Sequence, residues 1–312
     1  MTGGGGFIGS HLVDGLLEQG YEVRVLDSFA TGRRENLAHL SDIDLVEGDI
    51  QSYERVLNAV RDCDVVLHQA ALPSVPRSMQ DPLMTNAVNI TGTMNVLLAA
   101  RDHGVRRVVH ASSSSIYGSN QTLPKVETLA PAPISPYAVS KLAAESYCQA
   151  FHRVYALECV ALRYFNIFGP RQDPASQYSA VVPRFIDAAL DNRRPVIYGD
   201  GNQSRDFTFV SNVVDANLRA LDAPGAAGEV FNVACGARAT LNDMLLHLGR
   251  WLEVEIEADH HPLRPGDVRH SFADVSKARS LLGYQPQVTF DEGLRQTLEH
   301  AAESRDRVGS TG

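Results

Sequence analysis

Cysteine is scarce in this chain, and it is not spaced for cross-linking or metal binding. The 312 residues hold four cysteines (Cys63, Cys148, Cys159, Cys235) with no Cys-x-x-Cys pair, which argues against a disulfide framework and a structural zinc site. His260 and His261 follow Asp259, but adjacent histidines in a loop before a proline are ordinarily solvated, so no metal is assigned. The chain has no run of about eighteen apolar residues and no basic-then-apolar leader, so the sequence predicts neither a membrane span nor secretion, and a cytoplasmic location. Positive charge is in the minority: 28 Lys and Arg against 37 Asp and Glu leave a net charge of −9, with no basic run to bind nucleic acid. No internal repeat occurs. The length suits one large or two fused globular domains with a well-filled core.

What the chain does have is alternation. Tyr21–Leu26, Asp44–Val46, Val65–His68, Val108–Ala111 and Cys159–Arg163 read as short β-rich runs separated by longer amphipathic stretches. That pattern predicts an α/β fold, a doubly wound parallel sheet joined by right-handed helical crossovers, over residues 1–166. After Gly169-Pro170-Arg171 the texture changes, and 167–300 reads as a smaller mixed α/β substrate-binding domain. It has helices near Val182–Asp191, Val213–Leu221, Leu241–Leu252 and Val275–Leu282, and extended segments at Pro195–Gly201 and Phe207–Phe209. Val230–Val233 is a candidate late strand of the first sheet, so the first domain is expected to be rejoined by about 210–235. The segment 301–312 lacks apolar content and is expected to fray.

Gly3, Gly6 and Gly9 form Gly-x-x-Gly-x-x-Gly, and His11–Leu17 then begins an amphipathic helix. Such glycines let the chain turn sharply and let a pyrophosphate approach the amides of a helix N-terminus, where the dipole favours negative charge. The Tyr21–Leu26 strand ends at Asp27, eighteen positions after Gly9, where a carboxylate accepts from an adenosine ribose and repels a 2′-phosphate. NAD is therefore favoured over NADP, although Arg33 and Arg34 stand close by. Asp49 and Ile50 are candidates to flank the adenine, with a helix cap as the alternative reading of Asp49. A dinucleotide turn ordinarily follows a strand of roughly five or six residues, but only Met1 and Thr2 precede Gly3. The first strand is expected to be truncated, which would leave its two neighbours unpaired and an apolar slot between them.

The chemistry is carried by Ser135-Pro136-Tyr137-Ala138-Val139-Ser140-Lys141. Pro136 suits the first turn of a helix, and residues four apart share one face. A lysine beside the phenol favours the phenolate, which predicts a Tyr137 pKa below the usual value of about 10 and a base for a sugar hydroxyl. The serine run Ser112–Ser115 adds hydroxyls at a strand end.

Taken together, these motifs resemble the extended short-chain dehydrogenase/reductases, and among them the nucleotide-sugar epimerases. The matching blocks include His68-Gln69-Ala70-Ala71, Ser112–Gly118, Ser135–Lys141, Leu162-Arg163-Tyr164-Phe165-Asn166, Ser204-Arg205-Asp206-Phe207 and Arg264-Pro265-Gly266-Asp267. The resemblance implies a Rossmann-like fold and a tightly held NAD. Its contacts would be Gly3, Gly6, Phe7, Ile8, Gly9, Asp27, Ser28, Asp49 and Ile50 on one side of the cleft, and Gln69, Ala70, Ala71, Asn89, Tyr137, Lys141 and Tyr164 on the other. It also implies a UDP-sugar substrate, with Tyr137 as base at O4, Lys141 on the nicotinamide ribose, and Ser113, four residues before Tyr117, bonded to the reacting oxygen. Hydride leaves C4, the 4-keto sugar turns over, and hydride returns to the opposite face.

Related dehydratases carry an Asp-Glu pair where this chain has Ser114 and Ser115, which disfavours elimination. Arg205 and Arg264 match two diphosphate-binding arginines, a role that suits guanidinium groups. Asn166, Ser74, Ser114 and Asp267 complete the implied substrate contacts. Ser271, seven residues after Arg264, stands where a tyrosine would exclude an N-acetyl group. The chain thus most resembles the bacterial UDP-N-acetylglucosamine 4-epimerases, with Pro73 where that subgroup often has glycine. The competing readings are an epimerase serving mainly UDP-glucose and UDP-galactose, and a dehydratase or decarboxylase of the same superfamily. Family precedent further implies a homodimer through the Met84–Arg101 and Ala138–Tyr155 helices.

Overall fold

Five short runs form the strands Val23–Asp27 (β1), Ile43–Glu47 (β2), Val65–His68 (β3), Arg107–Ser113 (β4) and Glu158–Tyr164 (β5) in a computed structural model that describes residues 1–173, 180–263 and 269–309. All pair in parallel. The order is β2-β1, then Met1 and Thr2, then β3-β4-β5, with Val230–Val233 on the far side of β5.

Met1 and Thr2 occupy the place of the expected first strand. The Leu26 N–H donates to the Met1 carbonyl (2.8 Å), the Gly3 N–H to Leu26 (2.8 Å), the Thr2 N–H to Leu67 (3.0 Å) and the Gln69 N–H to Thr2 (3.1 Å). The backbone groups of β1 and β3 closest to the glycine turn are thereby paired. The Met1 ammonium donates to the Arg24 carbonyl at 2.8 Å, and burial pulls its pKa down from 8.0 to about 6.

Apolar residues fill both faces of the sheet. Leu12, Val13 and Leu16 of the helix Phe7–Glu18 pack with Val25, Leu162 and Phe231, while Val56, Val96, Leu97 and Ala100 pack with Val66 and Val108 on the other face. Strands buried on both faces read as near-continuous apolar runs, which is why the sequence showed them. The expected long helix from Met84 to Arg101 is divided into Pro82–Asn86, a π-helical turn Ala87–Gly92 and Thr93–Asp102. Gly92 lies within that turn, where an added Cβ would come within 2.6 Å of Ile50.

The second lobe has its own core. Phe168 is fully buried, with ring centroids 6.3 Å from Phe207, 5.6 Å from Phe209 and 5.7 Å from Phe290. Around it stand short paired strands: Ile167–Phe168 with Thr208–Phe209, Val196–Tyr198 with Asp259–His261, and a three-stranded group of Ala239–Thr240, Ser204–Arg205 and His270–Ser271. The segment expected to fray is instead helical as far as Gly309, continuing the helix that starts at Phe290. Leu294 and Leu298 are buried and Arg305 pairs with Asp187 and Asp191, which anchors the late turns despite their low apolar content.

Replacing Phe168 with alanine is expected to cost about 3–5 kcal/mol in urea unfolding, the usual loss for a buried aromatic. A loss below about 1 kcal/mol would show that this aromatic cluster does not hold the lobe together.

Candidate active site

In an open parallel sheet, ligands gather at the carboxyl ends of the strands. Here those ends bring together Asp27 of β1, Gln69 just after β3, Ser112 and Ser113 of β4 and Tyr164 of β5.

The glycine turn occupies one side of that crevice. Gly3 has φ +73°, and a Cβ there would lie 2.6 Å from the Ala70 nitrogen; a Cβ on Gly9 would lie 2.0 Å from the Gly3 carbonyl oxygen. Side chains are thus excluded where the backbone must pass closely. The helix Phe7–Glu18 starts at Gly6 with no side-chain cap and no acidic residue in its first turn, which leaves its N-terminal amides to an anion. The Asp27 carboxylate accepts from the N–H groups of Gly5 and Phe29, both at 2.8 Å, and retains acceptor capacity for a ribose hydroxyl. Arg33 is paired with Asp173 and Arg34 with Glu47, so both nearby cations have carboxylate partners. These features fit NAD.

The expected adenine-side and middle contacts fall in several places. Asp49 accepts from the Gln51 backbone (2.8 Å) and side chain (3.0 Å), and the cap of the next helix is Ser52. Ile50 is buried, while Ser28 is exposed with its hydroxyl 3.5 Å from the Ala30 nitrogen. Ala70 and Ala71 are half-buried beside the glycine turn. Gln69, Tyr164 and Asn217 share one network, with the Gln69 amide 3.0 Å and the Asn217 amide 2.8 Å from the Tyr164 hydroxyl; burial pushes that phenol up to about 12. Asn89 is fully buried, accepting from Leu72 N–H (2.8 Å) and donating to Ser140 Oγ (3.0 Å), so it ties the loop after β3 to the Tyr-Lys helix.

That helix runs Pro136–Tyr155. Pro136 occupies its first turn, and the Ser135 hydroxyl caps it by accepting from the Ala138 N–H at 3.2 Å. Lys141 is buried and donates to the Ala111 carbonyl at 2.8 Å, and burial lowers its pKa to about 8. Ser113 stands beside Tyr137, where its hydroxyl favours the phenolate. The Ser113 oxygen also accepts from the Ser115 N–H (3.2 Å) and the Ser115 hydroxyl (2.8 Å), so its own proton is directed outward as a donor. Sequence reasoning missed this role of Ser115. The only sequence sign of it was a second serine two residues on, a spacing that permits a local hydroxyl turn.

One expectation is reversed. The Tyr137 pKa is raised above 10 rather than lowered, because burial penalises the phenolate more than the Ser113 hydrogen bond favours it. The Lys141 ammonium is directed to the Ala111 carbonyl and does not supply the expected stabilisation.

In the second lobe, Ser204–Arg205 and His270–Ser271 pair in parallel with Ser271 directly opposite Arg205. Asp206, fully buried, holds this ribbon by accepting from the N–H groups of Cys235 (2.8 Å), Gly236 (3.0 Å) and Ala273 (3.2 Å); burial still raises its pKa to about 6. Asn166, at φ +40°, donates to the Asp206 carbonyl at 3.0 Å. Ser74 caps the short helix after Pro73 by accepting from Arg77 N–H at 3.1 Å, and Ser114 opens the 3₁₀ turn after β4. Arg264 and Asp267 lie outside the described residues.

A dinucleotide cradle, an NAD-type acid at the end of β1 and a Ser-Tyr-Lys set on one crevice define an NAD-dependent enzyme acting on a hydroxyl-bearing substrate. The chain belongs to the NAD-dependent epimerase/dehydratase family, which it matches over residues 1–234. It is 41% identical over 304 residues to a UDP-glucose 4-epimerase of Mycolicibacterium smegmatis, covering 96% of each chain. Among solved structures it resembles a UDP-N-acetylglucosamine 4-epimerase from Methanobrevibacter ruminantium in complex with UDP-N-acetylmuramic acid, with a TM-score of 0.92, 39% identity and 97% of each chain covered. It also resembles a UDP-glucose 4-epimerase from Thermotoga maritima with UDP-glucose, with a TM-score of 0.93 and 37% identity over 97% of this chain and 98% of that one.

Tyr137→Phe is expected to lower kcat by about 10²–10⁴ while NAD stays bound. In the cofactor-free protein, the tyrosinate signal lost on this substitution is expected to titrate above the ordinary tyrosine value. A signal appearing below that value would restore the lysine-lowered phenol.

Proposed function

We propose that this protein interconverts the C4 epimers of a UDP-sugar, with UDP-N-acetylglucosamine and UDP-N-acetylgalactosamine as the preferred pair and UDP-glucose and UDP-galactose as further substrates. The observation that carries this reading is the placement of Ser113 beside Tyr137 at the carboxyl end of β4, followed by Ser114 and Ser115 rather than an acid pair. Bound NAD supplies a reversible hydride acceptor at the sugar C4. Tyr137 takes the proton from O4 and later returns it, while the outward Ser113 proton stabilises charge developing on that oxygen. Lys141, fixed on the Ala111 carbonyl, holds the ribose side of the cofactor. Two serines after the catalytic hydroxyl offer no strong acid or base for removing water, which favours epimerisation over elimination.

We assign the remaining roles from the sequence motifs. Residues 1–166, rejoined by about 210–235, form the NAD-binding unit, and 167–300 form the substrate unit. Gly3, Gly6, Phe7, Ile8 and Gly9 hold the pyrophosphate; Asp27 and Ser28 hold the ribose; Asp49 and Ile50 flank the adenine. Gln69, Ala70, Ala71, Asn89 and Tyr164 support the nicotinamide side. Arg205, with Arg264 and Asp267, binds the diphosphate, and Asn166, Ser74 and Ser114 orient the sugar. Ser271, opposite Arg205, leaves room for an N-acetyl group.

NMR of the purified protein with each sugar pair, without added NAD, tests the reading. Both pairs are expected to equilibrate, the acetylated one faster, and Ser271→Tyr is expected to suppress the acetylated reaction by about tenfold or more, on the order of the discrimination one steric contact gives. If only UDP-glucose turns over, the Ser271 argument fails and the chemistry stands; release of CO₂ or a stoichiometric build-up of NADH would replace epimerisation altogether.

A second copy of the chain is the natural partner for one exposed apolar face. Leu83 (82% exposed), Ile134 (59%) and Val139 (49%) stand out from the helices Pro82–Asn86 and Pro136–Tyr155 and the loop before the latter. Among the described residues no helix is long and apolar enough to cross a membrane. Analytical ultracentrifugation is expected to give a dimer that Val139→Glu dissociates; a monomeric wild type would refute this.

A further inference from the structure

The Tyr-Lys helix carries a second buried charge one turn beyond Lys141. The Glu145 carboxylate has only 4% of its side chain exposed, and its partner Arg163 only 5%. The guanidinium donates in bidentate fashion, Nη2 to Oε1 at 2.7 Å and Nε to Oε2 at 3.1 Å, and the Ser112 hydroxyl donates to Oε2 at 2.7 Å. Ser112 and Arg163 are register partners across β4 and β5. Arg163 Nη1 donates to the Tyr117 hydroxyl (2.8 Å), which donates to Asn232 Oδ1 (2.7 Å) on the late strand Val230–Val233. The Asn232 amide in turn holds the carbonyls of Lys125 (3.0 Å) and Asp274 (3.2 Å). One connected network thus runs from the residue beside Ser113 to the residue three beyond Ser271.

We infer that Glu145 and Arg163 are positioning residues that fix Ser113 against Tyr137. This rests on the reading of Ser113 and Tyr137 as the catalytic pair. Lys141 grips the Ala111 carbonyl and Glu145 grips the Ser112 side chain, so two adjacent residues of β4 are fixed to two successive turns of the helix. Ser113 is the next residue, and Tyr137 lies one turn before Lys141. With both rungs in place the strand end can neither slide along the helix nor rotate away from it. Stability alone is a weak reason for a buried ion pair, because desolvation offsets much of its attraction and apolar replacement is often neutral for folding. Geometry gives a stronger one, because a misplacement of about 1 Å at reacting groups can cost about 10²-fold in rate.

Ser112→Ala removes one rung and leaves the Glu145–Arg163 pair intact. The expected result is a folded enzyme with bound NAD, an unchanged KM for the UDP-sugar and a kcat lowered about 10- to 100-fold. Because Glu145→Gln would leave a buried guanidinium without its counter-charge and destabilise the fold, the second variant is the double substitution Glu145→Met with Arg163→Met. It is expected to melt near the wild-type temperature while showing the same kcat-selective loss. Wild-type kcat in folded Ser112→Ala or in the folded double variant overturns the inference, as does an effect confined to KM or to NAD content. Tyr137→Phe, assayed in parallel, separates the two claims: full activity there would sink the catalytic pair itself, whereas a dead Tyr137→Phe beside a fully active Ser112→Ala would sink only the positioning role.

Discussion

The Lys141 hydrogen bond to the Ala111 carbonyl is the constraint on which the rest of the site depends. It buries an ammonium on a backbone acceptor at the carboxyl end of the sheet, and it sets the depth at which the helix Pro136–Tyr155 docks. Tyr137, one turn earlier on the same face, thereby reaches Ser113 at the end of β4. A buried charge is tolerated only where its donors are satisfied, so the helix has little freedom to shift without stranding Lys141. The raised Tyr137 pKa follows from the same burial, which penalises the phenolate.

A different constraint holds the second lobe. Asp206 binds three backbone amides from two separate segments, and the Arg205–Ser271 register follows from that grip. Its cost is visible in a pKa pushed up to about 6 despite those donors. The carboxylate orients the ribbon that carries Arg205, half-buried at its edge with its guanidinium on the Ser204 and Arg269 carbonyls. The glycine turn works by the opposite means. There, the absence of side chains lets Gly3 and Ala70 pass at a distance that a Cβ would forbid.

Much of this was legible in the sequence, for identifiable reasons. Strands buried on both faces announce themselves as apolar runs, so β3 was read at its observed limits and β1, β4 and β5 to within a residue or two. The Gly-x-x-Gly-x-x-Gly turn, Asp27 and the Tyr-Lys pair showed because their spacing is local. What stayed hidden was nonlocal. Nothing near Glu145 in the chain points to Arg163 or Ser112, because parallel strand register joins them. Asn89 and Ser74, read from the sequence as ligand contacts, also hold a loop and cap a helix, a polar duty that pattern alone does not show. The pKa reversal at Tyr137 had the same origin: spacing put Lys141 on the right face, but where its ammonium is directed depends on a carbonyl thirty residues away. The helical tail was missed because its hold is a pair of ion pairs to Asp187 and Asp191 rather than an apolar stripe.

The central claim is that the hydride removed from C4 returns to that carbon, and the proton removed from O4 to that oxygen, within a closed site built around Tyr137 and Ser113. The most direct measurement is turnover of a UDP-sugar carrying deuterium at C4, with no cofactor added and in ordinary water. The account predicts that the C4 epimer forms with the deuterium still on C4. Loss of the label to solvent or its appearance in free NADH would contradict it.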